Sequence, residues 1–435
     1  MSTSTSMTIE REDLNPCTVL LKVKCAPEQV AAGFATAYKK AAKRIKVPGF
    51  RPGTAPAHLV RQYVDPDWVK EVAAEEIVKA AYTDAVKEQN LQPHAAPRIE
   101  ITKYEGEDGE LEFSAKVPLP PQIELGPIEG IEVTRFKVDV SDEEVEHGIQ
   151  ELREGKATRK AVESRGAQEG DFAVVNIKID GDEGEGRNFM TVVGQTFPQL
   201  DQTLTGMDLD AIKHADLQFP DNFQEADWAG KLLSCQVRLR SLSAPVLPEL
   251  TDEFAQQFNT ESLEDLRERV REGIRDAKER HADSYVHEQI LAALLQSSTI
   301  HAPDPMIEGV FEVRMRDLAK AAADAGVTIA EVAKQSNMTE EELAQRIMED
   351  ATAEVHRALI LTEIFGKLEM KIDKADLMEQ VRDIARHEGI APEQAWAAIR
   401  GAGRTDELHF RALRKKVLEY LTEKAKVKIV DPPTE

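Results

Sequence analysis

Phe50 and Arg51 are the two side chains whose setting best suits a recognition chemistry. They lie in V-P-G-F-R-P-G-T-A-P, residues 47–56, where Pro48, Pro52 and Pro56 recur every fourth position. A proline removes a backbone donor and restricts the residue before it, so no helix can run through this stretch. Gly49 and Gly53 allow the chain to turn on either side of the pair. The expected product is a stiff, turned loop that presents an aromatic ring and a guanidinium. Its approach is basic: Lys39, Lys40, Lys43, Arg44 and Lys46 precede the pair and Arg61 follows, with no Asp or Glu between Glu28 and Asp65. The chain as a whole carries a formal net charge of -24. An acid-free basic window in so acidic a protein suggests local contact with a polyanion. The competing reading is that the lysines are only the solvated face of an amphipathic helix. Ordinary solvated faces mix both signs, and this one does not.

Other constellations carry less. The ten histidines include no H-E-x-x-H, and His281 and His287 are six apart, which on a helix points them away from each other. Cys17 and Cys25 have no histidine at ligand spacing, so no metal is expected. Gly401-Ala402-Gly403 lies between helical stretches without a preceding strand and is no nucleotide fingerprint. The many carboxylates read as helix surface and not as paired acid–base catalysts. No cofactor is expected.

The chain of 435 residues suggests about three domains. With 41% hydrophobic and 31% charged residues it can bury a core and stay soluble. No apolar run approaches the roughly 18 residues of a membrane span, so no membrane is expected among the partners. Residues 1–11 have no apolar stretch, so no signal peptide is expected. Three scattered cysteines, Cys17, Cys25 and Cys235, form no disulfide framework. These features together point to the cytoplasm.

The elements that must position the loop follow from periodicity. Residues 18–24 alternate as a strand. Pro27 opens a helix with Val30, Phe34, Ala37, Tyr38, Ala41 and Ile45 on one stripe. Residues 66–89 give a second helix, facing inward with Val69, Val72, Ala73, Ile77, Ala80 and Ala81. Two strands, 98–104 and 110–117, joined by Gly106-Glu107-Asp108-Gly109, read as a hairpin. Residues 117–121 are an extended exit. Residues 131–140 read as a strand, and a capping box at Ser141–Glu144 starts a polar connector helix to about 161. Residues 166–245 read as a small β domain with one short helix. From 247 onward helices follow at 262–295, 305–325, 339–368, 373–388, 392–400 and 405–426, with an irregular tail. Their thin stripes carry Met306, Met315, Met338, Met348, Met370 and Met378. Methionine suits adaptable binding surfaces, although ordinary core packing is the plainer use of any one of them.

G-F-R-P-G-x-A-P after a basic helix resembles the ribosome-docking signature of bacterial trigger factor, and the resemblance extends over essentially the whole chain. It implies a multidomain α+β protein: an α+β ribosome-binding N-terminal domain at 1–118, a linker strand and connector helix at 119–165, a small diverged FKBP-like β domain at 166–245, and an extended all-α C-terminal domain with arms at 246–435. It implies ribosome-binding roles for Gly49, Phe50, Arg51, Pro52 and Gly53, with Lys43, Arg44 and Lys46 behind them. The implied partners are a large-subunit exit-tunnel protein and ribosomal RNA, and nascent and unfolded polypeptides. The resemblance also permits a homodimer off the ribosome. Family members often carry lysine where Pro52 stands and another base where Thr54 stands. Docking here should therefore be weaker, or lean more on the helix lysines.

The FKBP-like resemblance rests on G-D-F-A-V-V-N-I, V-G-Q-T-F-P-Q-L and Q-F-P-D-N-F. It implies a peptidyl-prolyl isomerase pocket at Phe189, Phe197, Pro198, Leu200 and Phe223. Such a pocket needs no nucleophile; it lowers a rotational barrier of about 18–20 kcal/mol by favouring the less polar twisted amide. Leu200 replaces the usual aromatic floor, Ile177 an aromatic on the first strand and Cys235 a late phenylalanine, so activity is expected to be weak or absent. The resulting expectation is an ATP-independent chaperone that docks at the ribosome exit tunnel and shields nascent chains. An active prolyl isomerase and a nucleic-acid binder using the basic helix are the alternatives.

Overall fold

The protein was analysed as a computed structural model describing residues 7–48, 50–51, 54–107, 109–182, 184–220, 223–225 and 227–432. The chain divides into two compact units. Met1–Arg135 and Ser284–Val430 form the first, and Phe136–Asp283 lies in the second.

The first unit opens with β1 (Thr8–Asn15) and β2 (Thr18–Cys25), then α1 (Pro27–Arg44), α2 (Ala57–Val60), α3 (Pro66–Glu88), β3 (Arg98–Tyr104) and β4 (Leu111–Pro118). The four strands pair antiparallel in the order β1-β2-β4-β3. Alternation decides which face is buried: Val19, Leu21, Val23 and Cys25 on β2, and Leu111, Phe113, Ala115 and Val117 on β4, turn inward. α1 and α3 cover them with Val30, Phe34, Ala37, Val69, Ala73, Ile77 and Ala81. The two helices pack closely at Gly33, where a Cβ would lie 2.2 Å from Ile77 Cγ1. No larger residue fits there without moving the helix that carries the lysines.

β5 (Gln122–Glu124) and β6 (Glu132–Phe136) follow. The second unit then holds α4 (Asp142–Gly155), β7 (Thr158–Ala161), β8 (Phe172–Ile179), β9 (Arg187–Val192), α5 (Pro198–Leu204), β10 (Ile212–Gln218), β11 (Leu232–Val246) and α6 (Asp252–Gln256). Its sheet has the order β10-β11-β8-β9. The 15-residue β11 bends at a bulge and takes β7 along its far end. Val175, Ile177, Leu217, Val237 and Leu239 are wholly buried in this sheet.

α7 (Leu263–Ser297) leads on to β12 (Thr299–His301), α8 (Asp304–Asp324), α9 (Ile329–Gln335), α10 (Glu340–Lys367), α11 (Lys374–Glu388), α12 (Pro392–Gly401), α13 (Thr405–Lys424) and β13 (Lys426–Val430). Capping boxes at Thr328, Thr339 and Asp373 start α9, α10 and α11, and Gly389 ends α11 in the left-handed conformation. Val286, Ile290, Leu294, Ile360, Ile364, Val417 and Leu421 form one core. Val381, Ala385, Ala395 and Leu408 form a smaller one among α11, α12 and α13.

Several sequence expectations need correction. The N-terminal stretch contains β1, which its charged residues hid because both faces of this edge strand are largely exposed. Ala80 on α3 is exposed. The connector helix ends at Gly155, and Thr158–Ala161 leave it as β7 because β11 supplies a pairing edge. It is also not merely a polar connector, since Val145 and Ile149 are buried, Ile149 beside Phe254 and Leu266. The break after α7 is a strand, β12, paired with β5, and the tail taken as irregular holds β13, paired with β6.

Candidate functional site

The segment that carries Phe50 and Arg51 joins α1 to α2. Ile45 N–H donates to Ala41 C=O at the end of α1, and Val47 is buried at the foot of the loop. Phe50 N–H then donates to Val47 C=O at 3.1 Å, closing one turn. Thr54 closes a second, donating both its N–H (3.0 Å) and its hydroxyl (2.7 Å) to Arg51 C=O. Thr54 thus has a structural use that a lysine side chain would not provide. Between the turns Phe50 is 40% exposed and Arg51 is exposed. One exposed phenylalanine is ordinary in itself, and what sets this one apart is the charge around it. Gly49, Pro52 and Gly53, expected in the same site, lie outside the described residues.

The structure sorts the basic window into two groups. Lys40 pairs with Glu76 on α3 at 2.6 Å, and the hydrogen bond from this lysine holds the Glu76 carboxyl below its usual range. Arg61 pairs with Glu107 in the β3–β4 turn. Lys39, Lys43, Arg44, Lys46 and Arg51 are exposed, and among the described residues none of them pairs with a carboxylate. Arg44 instead lies 5.6 Å from the centroid of the Trp68 ring. The cations nearest Phe50 and Arg51 are thus the free ones. A solvated helix face would have paired them at random. Below them Ala41, Ala42 and Val60 are buried against Tyr38, Ile45 and Trp68, so the segment rests on a small core of its own.

In the second unit Phe189, Phe197, Leu200 and Phe223 line one cleft of about 320 Å³, together with Ile177, Met190, Thr191, Thr196, Pro220 and Gln224. Pro198 is not brought into it. As the first residue of α5 its ring is exposed, a position that suits a residue without an N–H. Phe219 and Trp228 were missed by the sequence reading. Their rings pack at 5.3 Å on each other and at 5.4 Å and 5.6 Å on Phe197 and Phe189. Phe219 belongs to the quoted Q-F-P-D-N-F, and its spacing from Phe223 was the available signal. Leu200 and Ile177 give the cleft aliphatic surfaces, as expected, and Met190 stands 86% exposed among the lining residues.

α8 and α10 enclose a further groove of about 770 Å³, with Met306, Val310, Val313, Leu318, Leu343 and Ile347 along it and the Arg314–Glu354 ion pair at its side. Val313 is 49% exposed there. None of the six methionines noted in the helical half is fully buried; all are half-exposed. Met370 and Met378 nevertheless pack against the two helical cores, as plain core packing would have it, while Met306 lines the groove.

Two family models match the chain: the bacterial trigger factor protein over residues 7–152 and the bacterial trigger factor C-terminus over residues 262–423. The chain belongs to the bacterial trigger factor family. Among curated relatives, the trigger factor of Moorella thermoacetica is 28% identical over 427 residues, covering 96% of this chain and 94% of the relative. That of Desulforamulus reducens is 29% identical over 429 residues, covering 97% and 98%. A solved trigger factor chaperone, described for promiscuous substrate recognition in folding and assembly activities, aligns over 95% of this chain and 99% of its own at 21% identity, with a TM-score of 0.48. As a family member the chain is a ribosome-associated chaperone, and an active prolyl isomerase is not the favoured account. Neither of the two family models covers residues 153–261, so the β-sheet cleft is judged on its geometry alone.

Among the described residues no group of three or more His, Cys, Asp or Glu could hold a metal ion, and no helix is long and apolar enough to cross a membrane. The three cysteines are buried and unpaired, and burial pushes the thiols of Cys25 and Cys235 up to about 11. Neutral thiols of this kind are poor nucleophiles.

Proposed function

We propose that the chain docks beside the polypeptide exit of the large ribosomal subunit through Phe50 and Arg51, backed by Lys39, Lys43, Arg44 and Lys46, and holds emerging chains on the apolar surfaces of its helical half. The observation that carries this reading is the sorting of charge around the loop. Among the described residues Lys39, Lys43, Arg44, Lys46 and Arg51 have no carboxylate partner, while Lys40 and Arg61 are paired with Glu76 and Glu107. An exposed ring set among free cations fits a seat made jointly of protein and ribosomal RNA, since the ring needs an apolar pocket and the cations need phosphate. Gly49, Pro52 and Gly53 belong to the same proposal as the residues that shape the loop.

The α8–α10 groove is the client surface of this reading. Met306 and the half-exposed Val313, with Val310, Leu343 and Ile347, offer weak apolar contacts, which form and release without a nucleotide step. The work is therefore ATP-independent, and docking on ribosomes would place it in the cytoplasm. Off the ribosome, the same surfaces can pair two copies.

The cleft of the second unit serves as an additional peptide surface. Its rings pack mainly on one another, and its other walls mix Ile177, Leu200, Met190 and Pro220 with Thr191, Thr196 and Gln224, so Leu200 and Ile177 leave it short of the aromatic walls that favour a twisted amide. Turnover of a proline-containing peptide should be at or near background; a rate equal to that of an intact FKBP-type isomerase would overturn this assignment.

Photo-crosslinking tests the rest. A photoreactive residue at position 50 should label a large-subunit protein on translating ribosomes, and one at position 313 should label the nascent chain. Labelling of no ribosomal component from position 50 would remove the docking assignment.

A further inference from the structure

Arg61 belongs to the basic window in sequence but, unlike Lys43, Arg44 and Lys46, is held by a carboxylate. Its guanidinium lies 4.9 Å from the centroid of the Tyr38 ring and pairs with the carboxylate of Glu107. The Tyr38 hydroxyl donates to the second oxygen of the same carboxylate at 3.3 Å. One carboxylate is therefore shared by two side chains that also stack on each other. Tyr38 comes from α1, Arg61 follows α2, and Glu107 comes from the β3–β4 turn, so three separate elements converge on this point.

The turn is well placed to deliver a carboxylate. Glu105 N–H donates to Glu110 C=O at 3.2 Å, and Gly106 takes a φ of 99°, which an L side chain rarely adopts. The strands on either side are rooted in the sheet, with Leu111 fully buried. Among the described residues, Glu107 and Glu76 are the only carboxylates paired with cations of the window.

We propose that Glu107 is a selectivity determinant of the docking face: by neutralising Arg61 where it stacks on Tyr38, it withholds one cation from RNA in general and leaves recognition to the shaped group around Phe50. This rests on the docking reading above. Free RNA binds a basic surface according to how many cations it meets, with little regard for their arrangement. A shaped seat on the ribosome rewards arrangement. A carboxylate at the edge of the basic face therefore weakens the first mode more than the second. The ion pair need not be strong for this, because the negative charge of Glu107 offsets Arg61 whether or not the contact is always closed. That matters here, since the Arg61 side chain is 52% exposed.

The test is Glu107→Gln in the full-length protein, with binding to an unstructured single-stranded RNA oligonucleotide measured across a salt series. The slope of log affinity against log salt should steepen by about 0.7, the value for one further cation on a single strand, and affinity near 0.1 M salt should rise roughly fivefold. The ratio of ribosome to free-RNA affinity should fall by a similar factor. Glu107→Asp should keep the parent slope, and Arg61→Ala combined with Glu107→Gln should restore it. A purely structural role would not move the slope. An unchanged slope in Glu107→Gln would overturn the inference. Failure of the parent protein to sediment with ribosomes would instead defeat the docking reading, and the RNA slope would still decide what Glu107 does.

Discussion

Replacing Phe50 and Arg51 together by alanine should weaken ribosome binding by at least about a hundredfold, enough to abolish co-sedimentation at moderate salt. Each substitution removes a different kind of contact. Phe50→Ala takes away the apolar anchor and should leave the salt dependence as it was. Arg51→Ala removes one phosphate-facing cation and should flatten the salt slope by roughly one unit. Stability should hardly change, because Phe50 is 40% exposed and the turn bonds to Arg51 are made by its backbone carbonyl. Aggregation suppression by the free protein should persist, since the α8–α10 groove is untouched. A double variant that sediments with ribosomes as the parent does would show that the lysines of α1 suffice and that the loop is not the anchor.

Phe219→Ala should have the largest effect on stability. Phe219 is 1% exposed and stacks on Phe197, Phe223 and Trp228. Removing a buried ring costs roughly 3–5 kcal/mol, because transfer and cavity terms add. Against a total of about 5–15 kcal/mol for a typical domain, that is a large share. The second unit should lose on the order of 10 °C of melting temperature. Tryptophan fluorescence of Trp228, whose ring lies 5.3 Å from Phe219, reports the change. Ribosome co-sedimentation should survive, because no residue of the docking loop belongs to this unit. If the melt moves by less than a degree or two, the ring cluster is not the centre of that core.

How much of this was legible beforehand differs from element to element. The α1 stripe, the α3 face and β4 follow from periodicity because each has one wet and one buried side, and the exposed β3 was legible through the hairpin turn that joins it to β4. β1 and β13 did not show, because an exposed edge strand has no alternation to read and gains its identity only from a partner. The same holds for β7, where four charged or small residues take strand form because β11 reaches past the rest of the sheet. For the site, the pair Phe50–Arg51 and the acid-free window were plain from residue types. The division of that window into paired and free cations was not, since Glu76 and Glu107 are distant in sequence from Lys40 and Arg61. In the β-sheet cleft, Phe223 ends a quoted motif and Phe189 came from the family resemblance, whereas Trp228 falls outside every quoted motif and enters only through the fold.

The first unit is assembled from two stretches of chain with the whole of Phe136–Asp283 between them. This imposes an order on the protein's own synthesis. The β1–β4 sheet has both its helices in hand early and can close while later residues are still being made. β5 and β6 cannot: they are held by β12 and β13, which are translated only after the whole of Phe136–Asp283. Val133 and its neighbours must stay wet, or borrow shelter, until Val417 and Leu421 arrive. A factor that guards unfinished chains is thus itself, for most of its translation, an unfinished chain of the kind that needs guarding.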